Sequence, residues 1–242
     1  FISAGSTGAL LTASTLLVKR VRGIRRAAMG PVVPTAQGGC VLIDCGANAE
    51  CTPEFLLQFA YMGNFYAQKV LNIPRPRVGL LNIGTEDSKG TKLQLETYHL
   101  LQAAHEAGEF QFVGNVEARD VPLGVVDVAV ADGFSGNVLL KGIEGTAKLI
   151  SGFMKDMFQT NLSTKIGYLL CKSGVEKMRA KLDYRETGGT PLIGITKPVI
   201  KAHGSSDALA VKSAIGQAIR VVQSGVITQI QDNIDKMVLA KE

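Results

Sequence analysis

Tryptophan is absent from this 242-residue chain, aromatic residues make up 6% of it, and no apolar run approaches the roughly 20 residues that a membrane crossing requires. Each shortage removes a class of function. With no stacking side chains interleaved among its lysines and arginines, the chain lacks the pattern of a nucleic-acid groove, despite a net charge of +5 and a pI near 9.0. No secretory signal is visible, so a cytoplasmic location is expected. The four cysteines (Cys40, Cys45, Cys51, Cys171) lack the paired spacing of a zinc site and suggest no disulfide framework. They read as small core or loop residues. The nucleophile elbow GxSxG, the zinc motif HExxH, the phosphate loop GxxxxGK[ST] and a complete GxGxxG after a strand are all missing. No low-complexity linker and no repeat divides the sequence.

What remains is an ordinary globular composition, 46% hydrophobic and 19% charged, with a positive balance that favours an acidic partner or a phosphorylated ligand. The densest early basic stretch, KRVRGIRR (19–26), reads equally as a solvated helix end. Six times a short apolar run ends in a glycine-containing polar turn: FISAGSTGAL (1–10), CVLIDCGAN (40–48), VGLLNIGTED (78–87), FQFVGNVEARD (110–120), VVDVAVADGFSGN (125–137) and PVIKAHGSSD (198–207). Continuous β-branched runs suit strands of a parallel sheet buried on both faces, and in such a sheet the six turns should converge on one crevice. Helical patterns cover about 7–20, 53–69, 91–107, 137–158, 161–182, 206–222 and 226–240. The stretch 137–182 is helix after helix, an excursion expected to project from the α/β body or to pack on a second copy. Within it Leu162, Ile166, Leu169 and Leu170 fall at helical spacing between Lys165 and Lys172, a face suited to core, dimer or membrane-surface contact.

The chemistry sits in the turns. AGSTGAL sets Gly5 and Gly8 around Ser6 and Thr7 before a helix, so backbone N–H groups and hydroxyls face outward, an arrangement that suits phosphate or mere capping. The same grammar returns in DGFSGN, with Asp132, Gly133, Phe134 and Gly136, and in HGSSD, with Gly204 and Ser205. IGTEDSKG adds a cation, Lys89, at the end of a buried strand. Asn137 stands where the long helix should begin, as an N-cap or as a ligand-facing amide. His203 lies in a candidate loop, whereas His99 and His105 read as surface residues of a polar helix. Cys45 beside Gly46 is a conceivable nucleophile, but it continues an apolar strand. Polar glycine loops without an activated side-chain nucleophile make sense if the ligand supplies the nucleophile, as inorganic phosphate does.

Taken together, ISAGSTGAL, the D-x-GAN of Asp44 to Asn48, VGLLNIGTEDSKG, FVGNVEARD, ADGFSGNV and VIKAHGSSD, in this order from Ile2 to about Gln223, closely resemble the bacterial phosphate acyltransferases of phospholipid synthesis. The resemblance implies a single Rossmann-like three-layer α/β sandwich over 1–242, like that of isocitrate/isopropylmalate dehydrogenases and phosphotransacetylases, forming homodimers. It implies reversible transfer of a long-chain acyl group from acyl carrier protein to inorganic phosphate, with no cofactor and no metal, the acyl phosphate passing to a membrane-bound acyltransferase. The family's opening Asp-Ala-Met-Gly-Gly-Asp motif is absent, and the chain begins at Phe1 inside an apolar run, so an N-terminally truncated protein is expected. The resemblance marks Lys89 and Asn137 as essential and adds Asn48 to the substrate-binding turns. Lys89 would hold the phosphate dianion, Asn137 would donate to phosphate or to the developing oxyanion, and His203 would protonate the leaving thiolate. Lys172, Lys177, Arg179, Lys181 and Arg185 offer a surface for the acidic carrier, and the leucine face offers a peripheral contact at the inner face of the membrane. Two rivals stay open: a dehydrogenase or phosphotransacetylase of similar architecture using a nicotinamide or coenzyme A, and a non-catalytic lipid- or carrier-binding scaffold.

Overall fold

The computed structural model describes residues 1–182, 188–204 and 206–239; of the residues singled out above, Arg185 and Ser205 lie outside these, as do the side chains of Arg179 and Lys181. In chain order the strands are β1 (Ile2–Ser3), β2 (Ala28–Met29), β3 (Val32–Thr35), β4 (Gly38–Ile43), β5 (Arg77–Asn82), β6 (Gln111–Glu117), β7 (Val128–Val130), β8 (Thr190–Ile193) and β9 (Ile200–Lys201). The helices are α1 (Thr7–Ala13), α2 (Pro53–Lys69), α3 (Lys92–Glu106), α4 (Gly133–Gln159), α5 (Leu162–Leu182), α6 (Ala208–Ser224) and α7 (Val226–Asp232). A π-helical stretch, Ser14–Lys19, continues α1 and stops where Lys19 takes a φ of 74°.

The strands divide between two sheets, which corrects the expectation of a single edge shared by all six turns. One sheet runs β3-β4-β7-β5-β6, with β4, β7, β5 and β6 parallel and β3 antiparallel at the edge. The other runs β1-β9-β8-β2, in which β1 and β9 are parallel and β8 is antiparallel to both its neighbours, β9 and β2. The apolar runs explain the first sheet. Val41 and Ile43 on β4 pack toward Phe59 and Met62 of α2, and Cys40 and Leu42 pack on the opposite face with Leu140 and Ile143 of α4. A strand covered on both faces carries no polar alternation, and each fully buried Leu or Ile contributes about 1.5–3 kcal/mol. Helices α2 and α3 lie on one face and α4 on the other, giving three layers.

Helix α2 begins at Pro53, where a missing N–H is tolerated, and is buried from Leu56 through Ala67. Its approach to β7 depends on Gly63, since an added Cβ there would lie 2.6 Å from Val128 Cγ1. Two helix boundaries differ from the sequence reading. Helix α4 starts at Gly133, not 137, because the Asp132 carboxylate caps it by accepting from Ser135 N at 2.8 Å. The last helix ends at Asp232, after which a 3₁₀ turn, Ile234–Lys236, brings Met237 into the core with no exposed surface. Helix α5 packs on α4, with the Phe158 and Tyr168 rings edge to face at 5.3 Å. Leu162, Ile166, Leu169 and Leu170 of this hairpin are exposed. Among the described residues no helix is long and apolar enough to cross a membrane.

Candidate active site

The carboxyl end of β4 is held to the start of α4 by one buried carboxylate. Asp44 has no exposed surface and accepts from Met29 N (2.8 Å), Ala47 N (3.3 Å), Asn48 N (2.6 Å) and Asn48 Nδ2 (2.9 Å). Burial raises its carboxyl above the ordinary range, against the pull of these N–H donors. The four bonds fix the turn 44–48, and α4 then seats on that turn through two glycines. Gly133 N donates to Asn48 O at 2.8 Å, and a Cβ at Gly133 would come within 2.5 Å of the same oxygen. At Gly136 an added Cβ would overlap the Asp44 carbonyl oxygen. Closest approach of two backbones is what these glycines provide. Gly46 has a φ of 93°, which suits a residue without Cβ, and a Cβ added there would lie 3.5 Å from the Asn137 amide carbon.

Asn137 opens onto a cavity of about 1520 Å³ that spans the ends of both sheets. From the four-stranded sheet it receives Thr7, after β1, and Lys201, His203 and Gly204, at the end of β9; from the five-stranded sheet it receives Cys45 and Gly46, after β4, and Arg119, after β6. Four cationic side chains line it, Arg119, Lys141, Lys148 and Lys201, against two carboxylates, Glu144 and Asp207. Beyond Asn137 the wall follows α4 to Ile150, about 20 Å at 1.5 Å per residue, with Leu140, Ile143 and Ile150 lining it together with Pro31, just before β3, and Pro34, within β3.

The structure sorts the sequence-derived candidates. Thr7, Asn137, His203 and Gly204 share the cavity wall. Gly5 and Ser6 are exposed on the β1–α1 turn and Gly8 in the first turn of α1, and none of them lines the cavity; Gly5 N donates to Ser3 Oγ at 3.1 Å, and Ser6 caps α1 through its carbonyl, which accepts from Leu10 N at 3.0 Å. Asn48, Asp132, Gly133 and Gly136 hold the turn and the helix together instead of lining the cavity. Asn48 Nδ2 donates to Ala27 O and Asp44 Oδ2, both Asp132 oxygens accept from Ser135, and Gly136 N donates to Asp132 O. These amides are committed inside the fold, which removes them as phosphate donors. Asn137 is not an N-cap, because Asp132 has that position. Phe134 is 67% exposed and Lys89 is exposed on the turn after β5; neither is on the cavity wall. The Lys89 stem folds over Gly84, while its carbonyl accepts from Asn82 Nδ2 at 3.0 Å. Cys45 does reach the wall, but burial and the neighbouring Asp44 and Glu144 charges push its thiol well above the ordinary range, which disfavours the thiolate a nucleophile needs. Lys141 and Lys201 were not singled out from sequence. The signals were there: Lys141 falls one turn after Asn137 on the same helix face, and Lys201 closes the strand that feeds the HGSSD turn.

Comparison with known proteins gives first the class and then the family. The phosphotransacetylase of Streptococcus pyogenes superposes with a TM-score of 0.57 at 20% identity, covering 92% of this chain and 63% of that one. The branched-chain phosphotransacylase of Enterococcus faecalis V583 superposes with a TM-score of 0.53 at 16% identity, covering 88% and 78%. At such identities the likeness is one of fold, the three-layer α/β frame, and the chain spans less than two thirds of the length of the Streptococcus protein. Residues 1–229 match the family model of the fatty acid synthesis protein. The chain is 49% identical over 235 residues to the phosphate acyltransferase of Thermoanaerobacterium thermosaccharolyticum, covering 97% of this chain and 69% of that protein. It is 50% identical over 236 residues to the phosphate acyltransferase of Alkaliphilus oremlandii, covering 98% and 69%. The chain belongs to this family of phosphate acyltransferases.

Proposed function

We propose that the chain moves a long-chain acyl group reversibly between the thioester of an acyl carrier protein and inorganic phosphate. A phosphate oxygen attacks the thioester carbonyl carbon, the C–S bond breaks, and acyl phosphate and the carrier thiolate result; the thiolate then takes a proton. The observation that carries this reading is the composition of the cavity wall. It combines cationic and polar side chains, among them Thr7, Asn137, Lys141, Lys201 and His203, with the apolar Leu140, Ile143 and Ile150, so it suits a ligand that joins an anion to an alkyl chain. In this reading Asn137 donates its amide to phosphate or to the oxygen on which charge develops, and His203 protonates the leaving sulfur. Lys89, on the exposed turn of the neighbouring strand β5, holds an anionic group that enters from outside the wall. Residues 1–242 act as one α/β unit, two copies pair, and the α4–α5 hairpin is the projecting part that meets a membrane surface.

The test is phosphate-dependent loss of acyl carrier thioester, with acyl-CoA as control donor. Lys89→Ala and Asn137→Ala are expected to remain folded and to lose about 100-fold or more in turnover, the scale for removing an anion-stabilising donor. Wild-type turnover in both, at equal folded protein, refutes the assignment. Preference for acyl-CoA would favour the phosphotransacetylase-like alternative, with which the chain shares its fold.

A further inference from the structure

The cations of the cavity wall carry more than the reading above uses. Lys201 ends β9, an interior strand of its sheet, in register with Ser3 of β1 on one side and Thr190 of β8 on the other. Its backbone is held between two strands and the residue lines the cavity, so its position is set by the sheet, not by a surface loop. The ammonium has three donors, and one goes to Ala202 O at 2.7 Å. Among the described residues no carboxylate lies in ion-pair range of it. Lys141 reaches the same cavity from α4, where Glu144 Oε2, at 2.6 Å from Nζ, props it in place.

Two ammonium groups converging on one space repel each other. Burial first, and the Lys141 charge second, push the Lys201 amine below the ordinary lysine range. Such an arrangement is unfavourable by itself and is relieved when an anion enters between the two. The wall excludes the obvious internal candidates: Asp207 caps α6 by accepting from Ala210 N at 2.9 Å, and Glu144 already faces Lys141.

We propose that Lys201, with Lys141, is the phosphate seat of this cavity, holding the dianion first as the incoming nucleophile and then as the head group of the acyl phosphate. The pair matches a doubly charged ligand, and lysines serve phosphate as point charges without demanding a fixed plane. Asn137, one helical turn before Lys141, lines the same wall, and in this reading its amide serves the reacting carbonyl beside the seat. This inference rests on the reading of the chain as a phosphate acyltransferase, and it assigns to Lys201 the anchoring role that the sequence motif gives to Lys89.

The experiment has two arms on the full chain. In the first, binding of inorganic phosphate is measured by calorimetry and by the rise it causes in melting temperature, without any acyl donor. Lys201→Ala is expected to weaken phosphate binding about tenfold or more and Lys141→Ala about threefold, while the exposed-surface control Lys92→Ala leaves it unchanged. Lys201→Arg keeps the charge and should recover part of the loss. In the second arm, the KM for phosphate rises in Lys201→Ala while the KM for the acyl carrier thioester holds. Equal phosphate affinity in Lys201→Ala and wild type overturns the proposal, as does a wild type that binds no phosphate. If Lys201→Ala does not fold, Lys201→Gln and Lys141→Ala decide by the same criteria. The two readings fail separately: a wild type that binds phosphate through Lys201 but consumes no thioester refutes the function and supports the seat, whereas phosphate-dependent turnover with an unchanged phosphate KM in Lys201→Ala supports the function and refutes the seat.

Discussion

Adding one methyl group at Gly136 should do more damage than removing most side chains on the cavity wall. A Cβ at this position overlaps the Asp44 carbonyl oxygen, and the obstacle is backbone, held in place by a strand and by the hydrogen bonds on the Asp44 carboxylate. No rotamer change relieves the overlap; α4 has to lift from the 44–48 turn. Overpacking in well-ordered cores costs about 1–3 kcal/mol, and a backbone obstacle places Gly136→Ala at the upper end, about 3 kcal/mol. The lifted segment begins beside Asn137, so turnover should drop about 100-fold as well, the effect of displacing a reacting group by about 1 Å. The same substitution farther along the same helix supplies the control. At Gly145 nothing lies within 4 Å of an added Cβ, so Gly145→Ala removes backbone freedom at no steric cost and should gain about 0.5–1 kcal/mol. Urea titration of both variants, with the thioester assay on the folded fraction, reads stability and activity together. Gly136→Ala with wild-type midpoint and wild-type turnover would show that α4 does not rest on the β4 turn as described.

The cysteines and the hairpin give two further expectations. Burial pushes the Cys40 thiol up to about 12 and Cys45 well above its ordinary range, so iodoacetamide on the native protein should modify exposed Cys171 and reach Cys40 and Cys45 only after unfolding; native labelling of Cys45 at the rate of Cys171 would contradict its protonated, closed environment. Leu169→Glu with Leu170→Glu should abolish cosedimentation with anionic vesicles while thioester turnover persists, since both leucines are exposed; monomers, aggregates, or a wild type that ignores vesicles would assign this face to packing.

Local signals located most elements, and the failures trace to longer-range causes. Pro53 after Thr52 marked the start of α2, and the run from Cys40 to Ile43 marked β4, because both a helix start and a doubly buried strand are written in adjacent residues. The start of α4 was placed four residues late. Gly133 and Gly136 weaken intrinsic helix propensity, and the gain that overrides them, close seating on the β4 turn, depends on residues about ninety positions earlier. The division into two sheets was not legible for the same kind of reason. Strands β1, β2 and β9 are two residues each, and the antiparallel pairing of β2 with β8 joins Ala28 to Ile193, a register that no local pattern encodes. Membership of Thr7, Asn137 and His203 in one wall was anticipated from strand-end turns. The distance of the Lys89 turn from that wall was not, because it depends on where β5 falls in the strand order.

The glycine turns therefore divide their work differently from what their sequence suggests. A Gly-rich turn before a helix reads as a cradle of free N–H groups, but here Gly133 N, Gly136 N and Asn48 N are bonded to Asn48 O, Asp132 O and the Asp44 carboxylate. Hydrogen-bonded inside the fold, they are unavailable as anion donors; what they supply is rigidity, and the glycines supply closeness. At this turn any anion recognition is left to side chains, and on the reading proposed above these are the Asn137 amide from α4 and the ammonium groups of Lys141 and Lys201, all on the cavity wall. Asp44 and the two helix-seating glycines fix the frame of this wall through contacts internal to the chain. If the proposed seat is right, a reaction in which phosphate brings the nucleophile asks for little else: two cations to hold the dianion, one amide donor at the carbonyl, and apolar side chains of α4 beside them.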